Sequence, residues 1–328
     1  MKNLRFFSIL LSQIEGLFRL IIMYLLDVTM MNRLQSFTDH RPRLFGIAYR
    51  MLASRAEAED MVQNTYLRWH ALSDEELLQI REPQAWLVTV ISRLCVDRLR
   101  VLKRERENYT GPWLPEPMIE VDHQTPELMA EFSSDVSLAF LTMLERLSAE
   151  ERAAFLLHQV FDVDYPEVAG MLNKTAAACR QLVHRAKERV LQEKPRFQVS
   201  RDHHRQLLQR FSLAAQSGNL KELSALFADD AQMIGDGGGK VASVNRILHG
   251  SARIARLYHV VARTYPQRMQ FVEVSINGEP GLLRFIDGKL DATISIVSDG
   301  EKILDLYTIR NPDKLRAYQG MTLPATTI

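Results

Sequence analysis

Four prolines, Pro112, Pro115, Pro117 and Pro126, fall in a stretch that also holds Gly111, Glu116, Glu120, Asp122 and Glu127. Proline fixes φ and donates no backbone hydrogen bond, so neither a helix nor a strand runs through Tyr109 to Glu131. The chain on either side reads as helix. From Phe37 to about Arg106 apolar residues recur at helical spacing, as Leu44, Ile47, Ala48, Met51 and Leu52, then Met61, Val62, Thr65, Tyr66 and Trp69. The pattern resumes at Val136 and lasts to Gln192, with Pro195 as its stop. Two helical domains are therefore expected, at 33–108 and 133–196, joined by an acidic linker over 109–132.

A third pattern begins near residue 200. Helices are expected around His203 to Ser217 and Gly250 to Arg263, followed by strands at Met269 to Ile276, Gly281 to Ile286, Leu290 to Val297 and Ile303 to Ile309. Asn277-Gly278, Asp287-Gly288 and Asp299-Gly300 supply the positive-φ residues that two-residue hairpins require. Residues 200–328 thus read as an antiparallel meander with helices on one face.

Composition narrows the function. The 328 residues are 46% hydrophobic and 25% charged, which excludes collagen-like, low-complexity and wholly disordered chains. With 41 basic against 40 acidic side chains the net charge is +1, so any nucleic-acid surface must come from local segregation. Cys95 and Cys179 lie far apart on helix-like apolar phases, which supports neither a disulfide framework nor a cysteine-based zinc site and fits a reducing cytoplasm. Residues 1–32 are apolar but broken by Arg5, Glu15 and Arg19, short of a membrane span and without a cleavage site. They read as an amphipathic extension or an over-called start, since Met30 and Met31 precede the globular pattern.

Local segregation is found in the second helical domain. Ser148 and Glu151 form a capping box, Asp164 and Glu167 open a second helix, and Asn173-Lys174 make a turn before Thr175 caps a third. The third helix turns Cys179, Leu182, Val183 and Ala186 inward and leaves Arg180, Gln181, His184, Arg185, Lys187 and Arg189 outside. Two short helices with a tight turn and a basic outer face have the shape that enters a major groove. Arg180 and Gln181 are placed for base edges and Arg185 for phosphate.

The stretch Ala56-Glu57-Ala58-Glu59-Asp60-Met61-Val62-Gln63-Asn64-Thr65-Tyr66-Leu67-Arg68-Trp69 resembles the polymerase-clamp-binding helix of extracytoplasmic-function sigma factors. Pro83-Gln84-Ala85-Trp86-Leu87 to Asp97-Arg98-Leu99-Arg100 resembles their promoter-melting helix, and Thr175 to Ala186 is similar to their recognition helix. Trp113-Leu114-Pro115-Glu116-Pro117, Asp236-Gly237-Gly238-Gly239-Lys240 and Asn311-Pro312-Asp313-Lys314-Leu315 are similar to three signatures of the subgroup with a fused SnoaL-like domain. The resemblance implies two all-α sigma domains, the second a helix-turn-helix, followed by an α+β NTF2-like cone that regulates them in cis.

It further implies binding to core RNA polymerase, at the clamp of the largest subunit and the flap, through Asp60, Gln63, Asn64 and Arg68. Promoter melting would fall to Trp86, Arg93, Arg98 and Arg100, and promoter reading to Thr175, Arg180, Gln181, His184 and Arg185. Regulatory contacts would come from Trp113, Glu116, Asp236, Gly237, Gly238, Gly239, Lys240, Asn311, Asp313 and Lys314, with Asp236, Lys240 and Glu116 pairing across the contact. The pattern departs at Arg93, where many members carry Asn. No metal, cofactor, catalytic residue or separate anti-sigma partner is implied, and the cone is a place for a small ligand.

Two rival classes remain on the residues alone. One is a ligand-responsive helix-turn-helix transcription factor; it needs neither the Asp60 to Arg68 helix nor the Trp86 to Arg100 helix. The other is an NTF2-like enzyme fused to a DNA-binding module, whose acid–base candidates are Asp229, Asp230, Asp236, His249 and His259. Asp229 and Asp230 read more simply as the polar turn ending a helix. The glycines of Gly235 to Lys240 miss the phosphate-loop spacing and lack its hydroxyl at Val241, so they read as a close backbone approach.

Overall fold

The computed structural model describes residues 33–120, 136–191 and 199–321. The expectations for 1–32, 121–132 and 192–196 lie outside these residues. A first helix, α1, spans 33–52 and is followed by α2 (Arg55–His70), α3 (Asp74–Gln79) and the long α4 (Pro83–Glu107). Ser54 caps α2 by accepting from the Glu57 amide, and Pro83 at the first turn starts α4 where its missing N–H costs nothing. The apolar stripes meet in one core: Leu44, Ile47, Met51, Met61, Val62, Trp69, Leu87, Ile91 and Cys95 are all buried.

The second helical domain comprises α5 (Leu138–Leu144), α6 (Ala149–Gln159), α7 (Tyr165–Leu172) and α8 (Ala176–Leu191). Ser148 and Glu151 form the expected reciprocal cap, and Asn173 turns the chain in the left-handed region at φ 52°. Thr175 Oγ1 accepts from the Ala178 amide at the start of α8. This domain shares its core with the first, Phe140, Leu156, Val168 and Leu182 joining the same buried cluster as Leu87 and Leu99.

Residues 201–309 form α9 (Arg201–Ser217), α10 (Leu220–Leu226), β1 (Phe227–Asp236), β2 (Leu248–His249), α11 (Ser251–Thr264), β3 (Met269–Ile276), β4 (Glu279–Ile286), β5 (Lys289–Ser298) and β6 (Ile303–Ile309). The sheet order is β2-β1-β6-β5-β4-β3. Strands β3 to β6 make the expected antiparallel meander, and β1 runs parallel to β6. Asn277-Gly278 and Asp287-Gly288 have positive φ at both residues, whereas at Asp299-Gly300 only the glycine does. The helices cover one face around Phe211, Tyr258, Leu282, Ile294 and Leu306.

The polar pair Asp229-Asp230 is a correction. Both residues are exposed inside β1, which continues straight from α10, and do not end a helix. Regular alternation, with Ala231, Met233 and Gly235 buried, begins only after the irregular stretch between Phe227 and Gln232, so side-chain polarity at 229 and 230 reports solvent, not a turn.

Candidate functional site

The structure brings the linker, the glycine loop and the chain after β6 together at Asp236, a fully buried carboxylate at the end of β1. Tyr109 Oη donates to Oδ1 at 2.6 Å, the Leu114 amide to Oδ2 at 2.9 Å, the Gly238 amide to Oδ1 at 3.0 Å and Lys314 Nζ to Oδ2 at 2.6 Å. Its backbone carbonyl accepts from the Arg310 and Asn311 amides. Linker, glycine loop and the chain after β6 thus converge on one acidic group. Lys314 also donates to the Leu114 carbonyl. Burial pushes its ammonium down to about 8, against the opposing pull of Asp236.

Trp113 extends this junction to the helices. Lys314 Nζ and the Arg106 guanidinium lie over its ring, 4.0 and 3.5 Å from the centroid. Arg106, near the end of α4, pairs with Glu145, which also takes Arg152 Nη1 at 2.5 Å. Arg152 is buried and donates to the Arg50 carbonyl. A ladder of charge and ring therefore runs from the helix-turn-helix domain through α4 and the linker to the cone.

The glycine triplet faces other partners than Trp113. A Cβ on Gly238, at φ +62°, would stand 2.4 Å from Asn311 Nδ2, and one on Gly239, at φ +70°, 3.0 Å from the Thr110 Cβ. A Cβ on Gly237 would meet the Val241 carbonyl at 2.6 Å. Asn311 is thereby free to donate to Tyr109 Oη at 2.7 Å. The expected pairing of Glu116 with the glycine loop is corrected: its Oε2 accepts from Ser54 Oγ at 2.9 Å and the Arg55 amide at 2.8 Å, where it serves the start of α2. Lys240 instead pairs with Asp313 at 2.5 Å, both half exposed.

A second junction is not legible in the sequence. Asn277 exchanges hydrogen bonds with the Met118 backbone and donates to Tyr49 Oη at 2.7 Å, which donates to the Glu116 carbonyl at 2.6 Å. The Ile119 amide donates to Tyr318 Oη at 3.1 Å, Ile119 bridges Ile276 antiparallel, and the Glu120 amide donates to the Ser275 carbonyl. By sequence alone Asn277 is a hairpin residue. Its side chain serves a contact 159 positions away, which local pattern cannot show.

The helical candidates divide into free and engaged groups. Asp60, Gln63, Asn64 and Arg68 lie on the exposed face of α2 beside exposed Leu67, with no side-chain partner among the described residues. On α4, Arg93 donates to the Gly170 and Met171 carbonyls at 2.8 and 2.9 Å, the open end of α7. Arg98 grips Glu57 through two bonds of 2.6 and 2.7 Å, and Arg100 reaches Asp97 and Glu150, both at 2.9 Å. Trp86 is half-buried against Trp69, ring centroids 5.4 Å apart. On α8, Gln181 and His184 are exposed; Arg180 lies over the Tyr165 ring at 5.3 Å, and Arg185 pairs with Glu151 at 3.2 Å beside Arg189.

The enzyme candidates do not assemble. Asp229, Asp230 and His249 are exposed, His259 Nδ1 bonds the Gly218 carbonyl, and Asp236 is enclosed at the linker.

Two family models match the chain: Sigma-70 region 2 over residues 37–105 and Sigma-70 region 4 over 137–190. The chain is 36% identical over 290 residues to the ECF RNA polymerase sigma factor SigJ of Mycobacterium tuberculosis, covering 85% of this chain and 91% of that protein. It belongs to the extracytoplasmic-function RNA polymerase sigma factors. The crystal structure of SigJ matches at a TM-score of 0.69 and 33% identity, covering 86% of this sigma factor and 98% of that chain. A probable sigma factor SigI of Mycobacterium tuberculosis is 28% identical over 86% of this chain and 95% of its own length. The third part of the sigma factor is accordingly an α+β sheet domain appended to regions 2 and 4. A sigma factor acts by binding polymerase and promoter DNA, and this one is not an enzyme. Among the described residues no helix is long and apolar enough to cross a membrane.

Proposed function

We propose that this arrangement is the resting state of a sigma factor held closed in cis by its cone. The single observation that carries this is the engagement of Arg93 and Arg100, on the helix expected to melt promoter DNA, by Gly170, Met171 and Glu150 of the helix-turn-helix domain. Those side chains cannot hold α6 and α7 and follow a DNA backbone at once. The exposed α2 face of Asp60, Gln63, Asn64 and Arg68 stays available, so core polymerase docks there first, at its clamp, and the flap takes the region 4 domain. Opening then frees α4 for strand separation and α8 for the upstream element.

In this reading the Asp236 and Asn277 junctions replace a separate anti-sigma protein, and the cytoplasm is the compartment because core polymerase is there. The domain limits that follow are 33–108, 109–132, 133–196 and 200–328. Transcription with purified core polymerase and a defined promoter tests it. Full-length protein should start transcription, deletion after Ser200 should change its activity, and removal of only the tail after Leu315 should raise it. That tail includes Tyr318, whose hydroxyl bonds Pro117 and Ile119 of the linker, so its removal favours opening. Equal activity of all three forms would leave the cone without a regulatory role.

A further inference from the structure

One dipeptide at the second junction carries a chemistry that promoter recognition leaves unused. Asn277-Gly278 is the one Asn-Gly pair in the 328 residues, and it forms the two-residue turn between β3 and β4. An asparagine amide before glycine is open to attack, because no side chain shields the next backbone nitrogen. That nitrogen bonds to Asn277 Cγ, Nδ2 leaves as ammonia, and water then opens the five-membered imide at either carbonyl. The product is an aspartate or, with the main chain rerouted through the side chain, an isoaspartate. Water is the one co-reactant, and nothing is oxidised or reduced.

The closed structure holds the groups that this ring closure must move. Asn277 is 2% exposed. Its Oδ1 accepts from the Met118 amide at 3.0 Å and its Nδ2 donates to Tyr49 Oη at 2.7 Å, so the side-chain amide is gripped from both ends and cannot swing towards the Gly278 nitrogen. The backbone is gripped as well. The Asn277 amide donates to the Met118 carbonyl at 2.7 Å, and Arg201 Nη2 donates to the Gly278 carbonyl at 3.0 Å. Both turn residues hold positive φ, 54° and 76°, as a tight hairpin of this kind requires. Two of these four bonds come from the linker, one from α1 and one from α9, so three are lost when linker and region 2 leave the sheet domain.

We propose that Asn277 is a modification site, kept intact in the closed chain and deamidated once the linker leaves it. The product cannot restore the contact. A carboxylate has no N–H for Tyr49 Oη, and its charge must return to a place with almost no exposed surface, while an isoaspartate adds one carbon to the main chain inside a two-residue turn. Conversion therefore records opening and resists reclosure. Only the opening event rests on the cis-closed reading; the protected amide stands on the contacts themselves.

Peptide mass spectrometry tells acid from amide at position 277. It is applied over time to the full chain at neutral pH, the same chain in urea, a Tyr49→Phe variant, and the full chain bound to core polymerase. Chemistry confined to an opened state slows in proportion to the opened fraction, so the native chain should convert roughly tenfold or more slowly than the chain in urea. Tyr49→Phe keeps the ring, removes the acceptor of Nδ2 and should convert faster than the parent. Equal rates in the native and unfolded chain, or a folded Tyr49→Phe variant no faster than the parent, overturn the site. If circular dichroism finds that variant unfolded, removal of the tail after Leu315 takes its place, since it deletes the Tyr318 hydroxyl that accepts from the Ile119 amide, and should speed conversion likewise. Conversion should also be faster on polymerase; a rate there no higher than in the free chain, with Tyr49→Phe faster, keeps the protected amide and removes the cis-closed reading. Asn277→Asp tests the consequence. Hydrogen exchange at Ile119 and Glu120 should quicken, and protection equal to the parent overturns the block to reclosure.

Discussion

Lys314 donates to Asp236 Oδ2 at 2.6 Å where the carboxylate has no exposed surface, so the pair that joins cone to linker is an internal ion pair. Such a pair is strongly destabilising to break from one side, by about 3–5 kcal/mol, because the surviving charge is left buried. Asp236→Asn should therefore release Tyr109, Leu114 and Lys314 together. Hydrogen exchange at Leu114 and Gly238 reads this directly, and protection equal to the parent would remove Asp236 from its central place.

The same lysine gives the junction a pH dependence with a definite sign. Burial lowers its ionisation to about 8 from an ordinary 10.5, so the separated state holds more protons between those values. Stability of the closed form should rise as pH climbs from 8, by at most about 1.4 kcal/mol per unit, and be lost again as pH falls back through 8. Tyr109 works the other way, raised by burial and by Asp236, and its contribution is lost above pH 10. Thermal unfolding between pH 8 and 10 should show the rise, and Lys314→Met should flatten it.

Arg93 closes α4 onto the carbonyl end of α7, two charge-assisted bonds that a shorter Asn cannot span. We expect Arg93→Asn to loosen regions 2 and 4 by roughly 1–3 kcal/mol and to lower the polymerase concentration needed for half-maximal transcription. A fluorescence distance between α4 and α7 that does not change on substitution would argue against a closing role.

Gly238→Ala places a Cβ in a left-handed conformation and within 2.4 Å of Asn311 Nδ2. The strain and the displaced Asn311–Tyr109 bond together should cost about 1–3 kcal/mol. Crosslinking between positions 110 and 239, efficient in the parent, should fall in the variant; undiminished crosslinking counts against a tight approach.

On α8, Arg180→Ala should relax sequence preference, since a bidentate base contact is worth about 1–3 kcal/mol of discrimination, while Arg185→Ala should weaken every DNA alike. Binding to specific and scrambled duplexes separates the two. Equal loss on both duplexes for Arg180→Ala would falsify its base contact.

Local chemistry makes much of the fold legible. The strand limits Met269–Ile276 and Ile303–Ile309 follow from alternation bounded by turns, and the caps at Ser148 and Asp164 from short-range hydrogen bonding. Strand β1 is hidden because Asp229-Asp230 face solvent in mid-strand. Asp236, Lys240 and Glu116 stand out as charged residues, but their pairing does not. Their partners depend on how three segments far apart in sequence are brought together, and Glu116 goes to the nearest unsatisfied amide of α2 while Lys314 takes the buried carboxylate. Arg93 is visible only as a departure from the family pattern, because the carbonyls it serves belong to another domain.

Strand β3 stands at the margin of the sheet, and linker residues Ile119 and Glu120 shield part of its outer rim. If the linker leaves to enter polymerase, that rim is bared with unpaired amides and carbonyls, a template for sticking to a neighbouring copy. An opened copy should then self-associate more readily than a closed one unless another surface covers that rim.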